Sequence, residues 1–269
     1  MQNLVECYTS DKYNSEAKDG LIKTIILSGN GIFEKRKSWL GTIIKKESDY
    51  NIPIFPKLSQ SINLTYKPKQ KIPSKALYTV LAWYKYISDT TGKEAQVNFY
   101  LCTRVGNGKT LTYTDSNGEE KTKNLTDIKG LTFWNDEIFS YTPYQENSCA
   151  HTQAIDPIYK ALNSQYGMFL ETHSHNVMPA FCSQTDYENS LNDGLQLVFG
   201  TFNKDYIEMY NWITIRELLL ESFSIETIND YIEIPEYLYD QEKDRIYLNQ
   251  NLLINIDKKI IDEWTEKIK

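Results

Sequence analysis

Residues 167–186 read GMFLETHSHNVMPAFCSQTD and contain two of the three histidines in the 269-residue sequence. The apolar run that begins at Gly167 predicts a strand leading into His173. Alternate residues of a strand project to the same side, so His173 and His175 are expected to face one direction. A helix is predicted from about Ser183, which places Asp186 in its first turn.

This arrangement predicts a metal site. Two imidazoles at this spacing can share one cation, and the carboxylate of Asp186 offers a third ligand. Zinc binds histidine nitrogen at about 2.0–2.1 Å and carboxylate oxygen at about 2.0–2.2 Å. Three protein ligands leave a fourth position for water, as in catalytic rather than structural zinc sites.

The elements on either side predict a mixed α/β fold, with helices packed on a sheet. A helix is predicted from Ser74, as its capping residue, to about Thr91, because apolar residues recur there on one face. The following segment, residues 94–104, alternates apolar and polar residues, which predicts a half-buried strand. Two more strands are predicted at residues 195–202 and 206–213.

The chain is predicted to have three parts. Residues 1–72 form a β-rich N-terminal region, in which short apolar runs are separated by turns and prolines. Residues 73–218 contain the α/β domain with the metal site. Residues 219–269 form an acidic, tyrosine-rich extension that ends in a helix with Ile260, Ile261 and Trp264 on one face.

Composition restricts the class of protein. The formal net charge is −7, which argues against a broad nucleic-acid surface. No apolar stretch reaches the roughly 18–20 residues of a membrane span, and the start lacks the features of a secretory signal. The four cysteines form no C-x-x-C pair, which fits a reducing compartment. We therefore expect a soluble cytoplasmic protein with no membrane or nucleic-acid partner; the oligomeric state stays unknown.

The pattern H-x-H-x(7)-S-x-x-D at residues 173–186 resembles the JAMM motif of the MPN-domain zinc metallopeptidases at every fixed position. The wider segment HSHNVMPAF, together with residues 29–41, is similar to segments of JAMM-type proteins of Gram-positive bacteria and their mobile elements. The resemblance covers about residues 20–215. It implies a cytidine-deaminase-like fold, with a mixed sheet flanked by helices.

The resemblance also implies an activity: hydrolysis of an amide or isopeptide bond, with Zn²⁺ as cofactor. Glu94, at the start of the strand after the first long helix, matches the family's general base, and Ser183 matches its oxyanion donor. Family substrates imply a protein or peptide partner, such as a ubiquitin-like modifier or a protein precursor. Many members have proline directly after the second histidine, whereas this chain has Asn176, so the loop there is expected to differ.

Other interpretations remain open. Ser183 and Asp186 also fit a capping box that only begins a helix. Glu171 competes with Glu94 as the base, because it shares the strand face of both histidines. Cys182 is a weaker candidate nucleophile, since no third orienting group is evident.

At the level of the whole protein, a non-catalytic MPN-like scaffold that acts through protein partners is the main alternative. A cytidine-deaminase-like hydrolase is disfavoured, because its H-x-E…P-C-x-x-C signature is missing.

Overall fold

The computed structural model describes residues 3–13, 17–102, 109–147, 152–154, 156–189, 192–221, 228–234, 239–240, 245–246 and 257–269. The chain divides into two compact units. The first comprises Met1–Lys67, Thr185–Gly194 and Ile213–Glu221, and the second comprises Pro68–Gln184, Leu195–Trp212 and Ser222–Lys269.

The elements are short strands and a few helices. Their bounds, in chain order, are β1 Val5–Thr9, β2 Lys23–Ser28, β3 Gly31–Lys37, β4 Gly41–Ser48, β5 Ser61–Leu64, α1 Ser74–Thr91, β6 Gln96–Leu101, β7 Thr110–Thr114, β8 Glu120–Asn124, a 3₁₀ turn Leu125–Asp127, β9 Leu131–Phe133, β10 Ile138–Tyr141, β11 Gln145–Asn147, β12 Thr152–Ala154, α2 Pro157–Gln165, β13 Gly167–Ser174, α3 Gln184–Asn189, β14 Gly194–Gly200, β15 Ile207–Ile215, β16 Leu218–Glu221, β17 Tyr239–Asp240, β18 Arg245–Ile246 and α4 Lys258–Thr265.

The first unit contains a five-stranded sheet in the order β1-β2-β3-β4-β5. Strands β1 and β2 are parallel, and the other pairs are antiparallel. Alternate residues of β2 are buried, among them Ile26, and Phe33 and Ile43 join it in the core. All five strands lie between Val5 and Leu64.

The second unit is organised around a sheet in the order β17-β18-β15-β14-β13-β6-β10-β9. Strand β13 lies at its centre, parallel to β14 and antiparallel to β6. The sheet is therefore mixed, and the predicted mixed α/β class is confirmed.

Helices α1 and α2 lie on opposite faces of this sheet. The hydroxyl of Tyr84, on α1, lies 2.7 Å from that of Thr172, which is paired with Val97 of β6. Tyr100 points to the other face of β6, where its hydroxyl donates to Asn163 of α2 at 2.7 Å. The side chains of β13 that share the face of His173 thus lie on the α2 side.

Two predictions about local structure need correction. Ser74 begins α1 without capping it, since the cap position is Pro73 and no side-chain cap bond forms. Strand β6 is buried along its whole length, because β13 and β10 flank it and helices cover both faces.

The other predicted helices are present. Gly92 ends α1 in the left-handed conformation with φ of 65°, as glycine allows. The helix predicted near the end of the sequence is α4, and its Trp264 is buried. Among the described residues, no helix is long and apolar enough to cross a bilayer.

Candidate metal centre

The structure brings together the three residues predicted to bind zinc. His173 is the penultimate residue of β13, His175 follows the end of that strand, and Asp186 lies in the first turn of α3. One ligand atom from each lies within 4.8 Å of the other two. His173 and His175 are 6% and 3% exposed, and Asp186 is half-buried.

The histidine pair fits zinc in its atomic spacing. The Nε2 atoms of His173 and His175 lie 3.3 Å apart. Tetrahedral zinc, with bonds of about 2.0–2.1 Å to nitrogen, holds two ligand atoms about 3.3 Å from each other. The set of two imidazoles and one carboxylate also matches the ligands of catalytic zinc sites. A cation of this kind is therefore compatible with the side chains as they stand.

The strand pairing of β13 fixes the backbone of both histidines. His173 is paired with Val198 on β14 and with Gln96 on β6. The N–H of His175 donates to the carbonyl of Phe199 at 2.7 Å, which extends the contact with β14 by one residue. Two neighbouring strands therefore hold the backbone that presents the imidazoles.

Asn176 turns the chain away immediately after the second histidine. Its φ of 52° is in the left-handed region, which asparagine tolerates better than most residues. Its side-chain amide donates to the carbonyl of Gly92 at 2.7 Å, and its amide oxygen accepts a hydrogen bond from Ser88. Proline has φ locked near −65° and cannot adopt this turn.

The loop after Asn176 packs tightly on the end of β14. A Cβ on Gly200 would lie 2.3 Å from the carbonyl oxygen of Met178 and 2.7 Å from the nitrogen of Ala180. Glycine is therefore required there for the loop to approach. The ring of Phe181, farther along this loop, lies 4.8 Å from that of His175.

Trp212 contacts the other histidine. Its ring lies 6.3 Å from the ring of His173 in an edge-to-face arrangement. Aromatic rings at this separation are attractive contacts. Each imidazole thus has an aromatic neighbour that restricts its rotation.

Glu94, the predicted base, is buried two residues before β6 and is 3% exposed. The N–H of Ala95 donates to the hydroxyl of Ser174 at 2.9 Å, and the N–H of Ser174 donates to the carbonyl of Ala95 at 2.9 Å. Since His173 is paired with Gln96, continuing this antiparallel register places Glu94 across from His175, on the same face. The side-chain amide of Asn147 donates to the carbonyl of Glu94 from the other side.

Glu171, the competing carboxylate, lies two residues before His173 on the same face of β13. Its cross-strand neighbours are Asn98 on β6 and Gln196 on β14. Burial raises the pKa of Tyr159, on α2, well above its ordinary value, and the charge of the nearby Glu171 raises it further. Glu171 therefore lies close to Tyr159 as well as on the strand face of His173.

Ser183 and Cys182 immediately precede α3. Ser183 is half-buried and occupies the position before the first helical residue, so its place fits both the capping and the oxyanion interpretations. Cys182 is half-buried as a thiol, and its Sγ lies 3.8 Å from the carbonyl oxygen of Ser183. The third histidine, His151, lies outside the described residues.

A group of buried polar side chains was missed in the sequence. Gln96, Asn98 and Gln196 are at most 6% exposed and lie on the same sheet face as Glu171 and His173. In β6 the polar residues alternate with Val97 and Phe99, a pattern that normally indicates a solvent-exposed face. Only the register with β13 shows that these amides face the histidine side.

No protein-family model and no curated protein matches this sequence.

Proposed function

We propose that this protein is a zinc-dependent peptidase of the JAMM type, which hydrolyses an amide or isopeptide bond. The observation that carries the proposal is the 3.3 Å separation of the Nε2 atoms of His173 and His175, with Asp186 within 4.8 Å. The match of residues 173–186 to the JAMM motif and the mixed sheet flanked by helices support it.

In this proposal His173, His175 and Asp186 hold the zinc ion. When bound there, zinc supplies Lewis acidity and lowers the pKa of water toward 7. Glu94 accepts a proton from the attacking water and transfers it to the leaving amine. Ser183 donates its hydroxyl to the oxygen that becomes negative in the transition state.

The surroundings of the histidines favour a protein or peptide substrate. Val177 and Phe181, in the loop after His175, are 49% and 42% exposed. Exposed apolar side chains next to a reaction centre favour a partner that itself carries apolar side chains. A ubiquitin-like modifier or a protein precursor meets this requirement, and the JAMM resemblance suggests the same class.

The metal site is tested by mass spectrometry of protein purified without added metal. We expect about one zinc per chain in the wild type and in Glu94→Gln, and little zinc in His173→Ala. His151→Ala is the matched control, because it removes the histidine outside the motif and should keep the zinc. Wild-type protein without zinc, or His173→Ala with a full complement, would refute the site.

Catalysis is tested by cleavage of a panel of ubiquitin-like fusions and precursor peptides. Glu94→Gln should lower kcat by about a hundredfold or more while the zinc content stays unchanged. Glu171→Gln should lower kcat less than Glu94→Gln does. If it lowers kcat more, Glu171 is the general base instead of Glu94. If wild type and Glu94→Gln bind panel members equally and neither cleaves them, the scaffold interpretation is favoured.

A further inference from the structure

The first unit contains a cavity of about 870 Å³. The cavity is open to solvent on one side, and its volume is in the range of small-molecule sites. Its walls are formed by Asn3, Glu6, Lys18, Asp19, Gly20, Leu21, Lys37, Ser38, Trp39 and Arg216. None of these residues belongs to the metal centre.

The charges on the cavity wall leave an excess of cations. Asp19 is paired with Lys35 at 2.7 Å. Among the lining residues, Glu6 is then the remaining carboxylate against the cations of Lys18, Lys37 and Arg216. Within the described part of the chain, no carboxylate lies within ion-pair distance of Lys18 or Lys37. The wall therefore has the charge that an anion requires.

Arg216 reaches this wall from an unusual turn. Arg216 and Glu217 connect β15 and β16 with φ of 48° and 66°, so both are left-handed, as in a type I′ hairpin turn. Such turns normally use asparagine or glycine, and side chains like these are strained there. Unfavourable backbone conformations of this kind concentrate at functional sites.

The turn is held so that the guanidinium of Arg216 faces the cavity. The Arg216 N–H donates to the carboxylate of Asp193 at 2.6 Å, and one guanidinium N–H donates to the carbonyl of Leu21. The remaining guanidinium donors make no hydrogen bond to a described residue, and guanidinium binds phosphate or carboxylate in a bidentate manner.

Trp39 adds a flat apolar surface to the same wall. Its ring is half-buried and held edge-to-face against Tyr66, with centroids 5.3 Å apart. Aromatic side chains fixed in this way stack planar ligand groups. The wall thus combines cations, a flat ring and the carboxylate of Glu6, which can accept a hydrogen bond from a hydroxyl.

We propose that this cavity binds a nucleoside monophosphate, with its phosphate at Arg216 and Lys37 and its base against Trp39. The ligand class follows from the combination of an anion site, a stacking surface and a hydrogen-bond acceptor in one small cavity. This site is independent of the proposed zinc peptidase activity.

Isothermal titration of the full chain with adenosine monophosphate, inorganic phosphate and adenosine tests the proposal. We expect the monophosphate to bind at least about tenfold more tightly than either fragment. Arg216→Asn suits the left-handed turn, so it should fold normally and weaken monophosphate binding by about tenfold or more. Trp39→Leu should weaken monophosphate binding without changing phosphate binding.

Two controls separate the outcomes. Glu217→Gly relieves the turn at an exposed residue outside the cavity, so binding should stay unchanged. His173→Ala should also bind the monophosphate as wild type does, which excludes the metal centre as the binding site. No binding by the wild type up to roughly 10 mM, equal affinity for phosphate and monophosphate, or full binding by Arg216→Asn would each overturn the proposal.

Discussion

Ser174 lies between the two histidines and forms two hydrogen bonds with Ala95. Its hydroxyl accepts from the Ala95 N–H, and its own N–H donates to the Ala95 carbonyl, both at 2.9 Å. Since Ala95 directly follows Glu94, these bonds fix the predicted base relative to the predicted ligands. The sequence motif identifies both histidines by their spacing, but it does not show that the residue between them contacts the segment of the base.

Ser174→Ala should therefore affect stability and catalysis together. The change leaves the Ala95 N–H buried without this acceptor, at a cost of about 1–3 kcal/mol in the free energy of unfolding. Displacement of Glu94 should lower kcat by about tenfold, with zinc retained. Urea unfolding, zinc content and cleavage of a panel substrate measure the three effects.

Ser140→Ala is the matched control for this prediction. Ser140 is also buried, and its hydroxyl accepts a hydrogen bond from Trp134 at 2.9 Å. Ser140→Ala should lower the free energy of unfolding by a similar amount to Ser174→Ala and leave kcat unchanged. Equal kcat losses in both variants would show that Ser174 acts only through general stability.

Asn176 gives a second prediction at this scale, because its φ of 52° excludes proline. Asn176→Pro should destabilise the protein by about 3 kcal/mol or more. Asn176→Gly can adopt the turn and should lose less, through its missing bonds to Gly92 and Ser88. Thermal unfolding compares the two, and a proline variant as stable as wild type would contradict the left-handed turn.

At the scale of elements, the local patterns predicted helices better than strands. Helix α1 was predicted from its apolar spacing, and its stop at Gly92 follows from the glycine. Strand β6 was predicted to be half-exposed, yet Gln96 and Asn98 are buried. A strand's burial depends on neighbours that are distant in sequence, here β13 and β10, so alternation alone could not give it.

Strand β3 contains a buried carboxylate whose ionisation should determine acid stability. Glu34 is 6% exposed and forms ion pairs with Lys23 and Arg36. Burial alone would raise its pKa, but the hydrogen bonds from Arg36 and Lys23 outweigh burial and hold the pKa of Glu34 below its ordinary 4.5. A carboxylate with a lowered pKa stabilises the folded state above its ordinary pKa, and this contribution is lost as the pH falls below it.

Glu34→Gln should therefore be less stable than wild type at pH 7. The difference should narrow below about pH 4.5, where Glu34 becomes protonated in the unfolded chain, and it should be lost as the pH falls through the lowered pKa of the folded state. Urea unfolding at several pH values between about 7 and 3 measures this dependence. Glu47→Gln, at an exposed position of β4, is the control and should leave the pH dependence unchanged. A constant difference between Glu34→Gln and wild type would contradict the prediction.

At the scale of the whole molecule, the second unit joins segments from both ends of its sequence range. Trp264 of α4 is fully buried, and its ring meets that of Trp83 on α1 edge-to-face at 5.5 Å. The sequence predicts α4 as a helix with Trp264 on its apolar face. It does not identify α1 as the partner, because nothing in a local pattern specifies a contact at long range.

The residues after α4 are also connected to the strand beside the metal centre. The backbone N–H of Gln145 donates to Lys267 at 3.1 Å, and that of Lys269 donates to Gln145 at 3.2 Å. The side chain of Gln145 in turn bonds the backbone N–H and carbonyl of Gln96, at 2.8 and 3.1 Å. Gln96 is the cross-strand neighbour of His173, so two residues link the end of this sequence to a predicted ligand.

Trp264→Ala tests whether this long-range packing supports the metal centre. Loss of a fully buried tryptophan should cost about 3–5 kcal/mol in the free energy of unfolding. If α4 detaches, Gln145 loses its backbone partners. The zinc affinity, measured well below the unfolding temperature, should then fall by up to about tenfold. Lys258→Ala, at an exposed position of the same helix, should change neither quantity. Stability lost with unchanged zinc affinity would show that α4 stabilises the fold without supporting the histidines, because the pairing of β13 with β14 and β6 would then be sufficient to hold them.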